Sequence, residues 1–212
     1  MSAKPDRARY LVPDEFRKLL AAAKGGITPS LRYRNHMLLC LAGNLGLRVG
    51  EVVRLRVSSF DFEQSTRPFV RVDTLKRRRR QQNDIALDLG LARTVRRYLV
   101  LVGKRAHEKH VTLDQKRGEL CLFPGAKNAF TPMSVRAAQN VFKETAAFAG
   151  LDALVSFHAL RHFRGCQIYA ETKDLVAVKK FLRHKSISSS GIYVHMGDEE
   201  EIKINNRVGA II

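Results

Sequence analysis

His158-Ala159-Leu160-Arg161-His162, then Leu182-Arg183-His184-Lys185-Ser186, then Gly191-Ile192-Tyr193 form the stretch on which the rest of this 212-residue chain is organised. It gathers histidines, an arginine and a tyrosine at spacings that suit work on a phosphate ester. An arginine presents a planar, permanently charged fork that grips two phosphate oxygens at once. Imidazole donates to a further oxygen or moves a proton near neutral pH. A tyrosine oxygen attacks phosphorus and leaves a covalent intermediate. His158 and His162 lie four apart, so a zinc site has to be weighed. The metalloprotease pattern needs Glu directly after the first His, and Ala159 stands there.

Composition narrows the partner. Thirty-eight Lys and Arg against 20 Asp and Glu give +18, with a pI near 10.4. That balance calls for a polyanion such as DNA or RNA. No long basic amphipathic helix with aromatic anchors favours a membrane surface instead. Apolar runs such as Met37–Ala42 and Tyr98–Val102 are too short to span a bilayer. Three cysteines, Cys40, Cys121 and Cys166, are widely spaced and odd in number, which fits a reducing cytoplasm better than a disulfide framework. At 45% apolar and 27% charged residues the chain is globular in character, and its length suits one well-buried domain or two small ones.

Outward from the central stretch, the pattern is helical at both ends and strand-like in the middle. Pro13-Asp14-Glu15 opens a helix carrying Phe16, Leu19, Leu20 and Ala23, and Gly25-Gly26 closes it. Ser30 is the expected N-cap of a second helix through Leu45, and a third is expected from Leu47 to Leu55. From Ser58 to Leu87 the period falls to two, predicting three short antiparallel strands with the run Arg77, Arg78, Arg79 and Arg80 at or near the second turn. A basic amphipathic helix follows from Leu91 to about His107, then a helix capped by Thr131 and running to Ala149. Helices at roughly 158–170, 174–184 and 188–196 carry the opening stretch. The whole reads as a mainly helical α+β domain with a small three-stranded antiparallel sheet. Residues 1–10 read as a lead-in, 11–197 as the folded domain that carries the candidate site, and 198–212 as a tail whose Ile202, Ile204, Val208, Ile211 and Ile212 would supply apolar contacts.

Arg48 and Glu51 complete the pattern near the N-terminus, three apart on one helix face. Gly-Leu-Arg48-Val-Gly-Glu51, His158-x-x-Arg161-His162, the histidine of Leu-Arg-His184-Lys-Ser, and a tyrosine nine residues past it resemble the tyrosine recombinase (phage integrase) family in order and spacing. The likeness runs from about residue 10 to 196. It implies the integrase catalytic fold and a site-specific DNA recombinase of the integrase, invertase or resolvase type. Arg48 and Arg161 would clamp the scissile phosphate, and His184 would bond the transition state. His158 would take the proton from Tyr193, whose attack gives a 3′-phosphotyrosine and a free 5′-hydroxyl. A lysine on the second hairpin would protonate the leaving oxygen, and Lys76 is the one lysine between Lys24 and Lys104. Glu51 would support Arg48 from behind, and Arg77–Arg80 would touch DNA phosphates.

The resemblance further implies no metal, ATP or other cofactor. It implies a double-stranded recombination site as partner, a homotetramer on DNA that is monomeric off it, and accessory DNA-bending proteins in some systems. The tail would dock on a neighbouring protomer, and the setting would be the cytoplasm, at the nucleoid. Two departures stand out: Arg183 occupies the place of a usual glycine, and no separate helical DNA-clamping domain precedes residue 10. The second leaves open a fragment of a longer recombinase or a short member similar to the fimbrial phase-variation invertases. Two other activities share these residues: a recombinase-derived DNA-binding protein that no longer cuts, and a type IB topoisomerase.

Overall fold

A computed structural model describes residues 11–25, 29–62, 67–76, 79–108, 117–184 and 186. Seven helices and one sheet make up the described chain: α1 (Pro13–Gly25), α2 (Pro29–Leu45), α3 (Val49–Val52), β1 (Phe60–Asp61), β2 (Phe69–Lys76), β3 (Arg79–Ala86), α4 (Leu89–Glu108), α5 (Val135–Phe148), α6 (Ala159–Thr172) and α7 (Leu175–Leu182). Single 3-10 turns lie at Val57–Ser59 and Arg117–Glu119. The α+β class expected from the sequence is the one found.

Helix α2 is the spine. Leu38, Leu39, Leu41 and Ala42 are fully buried along it, and it packs against α1, α4, α5 and α6. Such an all-round apolar helix belongs at the centre of a core. Gly43 permits the tightest approach, because a Cβ there would lie 2.4 Å from the Phe16 ring. Phe16 in turn meets Phe163 of α6 at 4.6 Å between ring centroids, so α1 and α6 close over the same end of the spine. A second, smaller cluster around Val178 and Leu182 fastens α7 to α6 through Cys166, Ile168 and Tyr169.

The sheet has the order β1-β2-β3, antiparallel throughout, with Phe60 opposite Val70, Val70 opposite Ile85 and Lys76 opposite Arg79. Val70, Val72, Ile85 and Leu87 turn inward while Arg71 and Asp84 pair on the open face, as a period of two requires. The pairing reaches Lys76 and Arg79 through the backbone, and Arg79 and Arg80 open β3. Arg77 and Arg78 lie outside the described residues.

Several boundaries differ from expectation, each for a local reason. Helix α2 begins at Pro29, so Ser30 sits inside its first turn and is not the cap. Helix α3 stops at Val52 because the next residues pair elsewhere: Leu122 N donates to Leu55 O at 2.8 Å and Val57 N to Leu120 O at 2.9 Å. Ser134, not Thr131, caps α5, accepting from Ala137 N at 3.0 Å. Thr131 and Met133 are held by backbone bonds to Gly125 and Phe123 and are not available to start a helix. Asp88 caps α4, which starts at Leu89, two residues ahead of the expected Leu91, and accepts from Gly90 N at 2.7 Å. The expected helix at 188–196, Tyr193 and the tail lie outside the described residues.

Among the described residues no helix is long and apolar enough to cross a membrane. Nor does any group of three or more His, Cys, Asp or Glu stand where it could hold a metal ion.

Candidate active site

The site forms where three chain segments meet: the turn and short helix after α2, the start of α6, and the end of α7. Arg48 is the N-cap of α3, in extended backbone (φ −68°, ψ 151°). Arginine has no acceptor with which to cap, so the helix is closed from the other side. Glu51, in the first turn, takes the Arg48 N–H on Oε2 at 2.9 Å and the Arg48 Nη1 on Oε1 at 2.9 Å. Glu51 is buried, whereas the Arg48 side chain is 42% exposed. The carboxylate is a buried anchor, and the guanidinium it holds faces outward.

Arg161 is the reverse case. In the first turn of α6, it is 1% exposed and the largest fully buried side chain described. Its Nη1 donates to Gly46 O at 2.6 Å and its Nη2 to Leu182 O. One guanidinium therefore ties the turn after α2 to the end of α7. Gly46 accepts this role because it sits at φ +60°, and a Cβ there would strike Leu182 Cδ2 at 2.5 Å. The carbonyls of Gly46 and Leu182 were not legible as site groups, since a backbone acceptor leaves no side-chain signature.

His158 precedes α6 as its N-cap, and its ring meets that of His162 edge-on, with centroids 4.5 Å apart at 87°. The two rings contact one another, and His162, given no catalytic role in the sequence reading, is the packing partner that steadies His158. His184 follows the left-handed Arg183, its N–H bonded to Lys179 O at 2.9 Å. Burial, followed by the charges of Arg161 and Arg48, pushes the His184 imidazole down to about 4. Burial and the neighbouring His158 and Arg161 lower His162 to about 4 as well, and His158 is lowered by partial burial, Arg161 and Arg48. All three rings are therefore neutral near pH 7. Each can then accept a proton or donate one N–H without first being deprotonated.

Of the residues singled out in the sequence, Arg48, Glu51, His158, Arg161 and His184 come together here. Lys76 is the last residue of β2, and its side chain, like those of Arg79 and Arg80, lies outside the described residues, as does all of Tyr193. The residue whose role the sequence did not reveal is Arg183. It is read there only as a departure from a usual glycine, but its Nη2 reaches Glu51 Oε2 at 3.4 Å.

The pattern that defines the phage integrase family matches residues 9–200. The chain belongs to the phage integrase family. Among relatives, a tyrosine recombinase of Pseudothermotoga lettingae is 23% identical over 94% of this chain and 60% of its own length. The tyrosine recombinase XerC of Oceanobacillus iheyensis is 30% identical over 88% of this chain and 56% of its own. This integrase-family chain thus spans little more than half the length of the curated relatives it matches. Among solved structures, a XerH site-specific recombinase bound to palindromic difH substrate in a post-cleavage complex superposes with a TM-score of 0.74 at 20% identity, covering 98% of this chain and 54% of XerH. XerA recombinase gives 0.71 at 17% identity, over 100% of this chain and 68% of its own. Those likenesses establish the integrase-family fold.

The lowered imidazoles make stability depend on pH. His36 is also held at about 4, by burial and then Lys24. For His36, His162 and His184 the folded pKa lies below the unfolded value of 6.5, so the unfolded chain takes up protons first as pH falls. Their contribution is complete above about 6.5 and is lost progressively down to about 4. Carboxylates titrate mainly around 4, so a melting temperature already dropping in the upper part of that window is the histidine signature. A melting temperature constant across the window would contradict it.

Proposed function

We propose that this chain carries the catalytic unit of a site-specific DNA recombinase, cutting and rejoining double-stranded DNA through a 3′-phosphotyrosine at Tyr193. The observation that carries the reading is the convergence of two guanidiniums with the imidazoles: Arg161 reaches Gly46 O, two residues before Arg48, and Leu182 O, two residues before His184, with His158 at the start of its own helix. Such a group suits a phosphodiester, whose non-bridging oxygens gain charge in the transition state.

In this reading Arg48 and Arg161 grip the non-bridging oxygens and His184 donates to one of them. His158 accepts the Tyr193 proton as the phenolic oxygen attacks phosphorus. The bond from phosphorus to the 5′-oxygen breaks, and Lys76 supplies the proton to the leaving oxygen. Arginine is too weak an acid for that step, which leaves Arg77, Arg78, Arg79 and Arg80 for flanking phosphates. The phosphotyrosine conserves the bond energy, so the reverse attack by a 5′-hydroxyl reseals the strand with no metal or ATP. The catalytic unit spans 11–197. Exchange of four strands needs four such sites, hence a homotetramer on two duplexes, monomeric when free, with the 198–212 tail docked on a neighbour. Accessory DNA-bending proteins and a place at the nucleoid in the cytoplasm follow from that role.

The test is a nicked suicide duplex that loses its short 5′-hydroxyl fragment after cutting and so traps the adduct. A covalent complex whose DNA-linked peptide maps to Tyr193 is expected. DNA binding with no adduct would point instead to a binding protein. Sequence-independent relaxation of supercoiled plasmid, without strand exchange, would point to a topoisomerase.

A further inference from the structure

Arg183 sits where L-residues are uncommon. Its backbone is left-handed (φ 57°, ψ 41°), a conformation that favours glycine, and its N–H closes α7 onto Lys179 O and Lys180 O. Its side chain is nonetheless 10% exposed. Nη1 donates to Phe181 O at 3.0 Å, Nη2 to Glu51 Oε2 at 3.4 Å, and Nε is buried with no hydrogen-bond partner. Placing a long cation in this position is unfavourable both for the backbone and for desolvation, so its contact across the site has to be the compensation.

That contact is with a carboxylate already engaged. Glu51 carries one negative charge and faces two guanidiniums, Arg48 on Oε1 and Arg183 on Oε2. A carboxylate closed on Arg48 alone would form a neutral, bidentate pair and cancel much of its field. Shared, it neutralises each arginine only in part, and the three groups together keep one net positive charge. Because Glu51 is buried and the Arg183 side chain nearly so, that surplus is poorly screened by salt. The shared carboxylate also links α3, with Arg48, to the residue next to His184.

We infer that Arg183 is a positioning residue: by taking a share of Glu51 it leaves the positive field of Arg48 only partly cancelled toward an incoming anion, and it fixes Arg48 relative to His184. The identity of that anion as a DNA phosphodiester rests on the recombinase reading above; the charge argument does not.

Two arms test it separately. In the first, DNA-free wild type, Arg183→Gly, Arg183→Gln and Arg183→Lys are titrated with inorganic sulfate, following the side-chain NMR signals of His184 and Arg161. Loss of the charge in the Gly and Gln variants is expected to weaken sulfate binding about 5- to 10-fold, and Lys to retain most of it. Glycine relieves the left-handed backbone and glutamine keeps much of the packing, so a fall in affinity in both separates charge from folding. In the second arm, single-turnover adduct formation on the suicide duplex is expected to slow about 10-fold in Arg183→Gly, with DNA affinity within about twofold and rescue by Lys. Wild-type sulfate affinity in Arg183→Gly and Arg183→Gln would overturn the inference. So would equal loss in Arg183→Lys. No adduct even in wild type would remove the recombinase reading, while the sulfate arm still decides the role of Arg183.

Discussion

Arg161→Ala is expected to lower stability by about 2–4 kcal/mol and, on the recombinase reading, to slow strand cutting by about 100- to 1,000-fold. The two effects share one cause. The guanidinium fills a fully buried volume and satisfies the carbonyls of Gly46 and Leu182. Alanine leaves both acceptors without this donor and opens a cavity between the turn after α2 and the end of α7. Relief from burying a charge offsets part of the loss, which keeps the figure below a simple sum. Arg161→Lys separates the contributions: the charge stays, but one ammonium cannot reproduce the planar fork. Stability is then expected to recover in part while cutting does not. Denaturant unfolding and single-turnover trapping measure the pair, and wild-type behaviour of Arg161→Ala in either would refute the role assigned to it.

Glu51→Gln is expected to be nearly as damaging, although it changes almost no volume. The carboxylate takes Arg48 N, Arg48 Nη1 and Arg183 Nη2, and an amide can accept on one atom only, with its NH2 turned toward other donors. Arg48 is half-exposed and recovers water. Arg183 is not, and it becomes a buried cation without a counter-charge, for which a loss of about 3 kcal/mol is the expected scale. Adding Arg183→Gly to Glu51→Gln should restore most of that stability, a non-additivity that follows only if the two side chains act on each other. Additive losses in the double variant, read by chemical denaturation, would argue against the shared carboxylate.

What the sequence made legible was what chemistry and local period encode. Helix α1 is announced by Pro13, two acids and an apolar stripe, and the sheet by the change from a period near four to a period of two. The spacing of Arg48, His158, Arg161 and His184 carried the family before any contact was known. Misread boundaries occurred where two segments competed for the same backbone. Thr131 is as good a cap as Ser134, and only the pairing of Thr131 and Met133 with Gly125 and Phe123 decides between them. Leu55 and Val57 would have extended α3 had residues 120–122 not offered them partners. The Arg183–Glu51 contact was beyond reach for a different reason. Nothing local relates residues 132 positions apart, and glycine-like backbone geometry gave no hint that a charged side chain there would fold inward.

The ties that assemble the site span unusual lengths of chain: 115 residues from Arg161 to Gly46 and 132 from Arg183 to Glu51. Contacts of such separation form late, after the entropy of closing the intervening loop has been overcome. A ribosome-bound chain that has exposed α1 to α5 already carries most of the core and much of the positive charge. It lacks the cross-links that set Arg48 and His184 against each other until residue 183 has emerged. Affinity for polyanions is thus available early in synthesis, and the organised anion site only near the end of it. On the recombinase reading, a nascent chain resting on nucleic acid would have no assembled site with which to act on it.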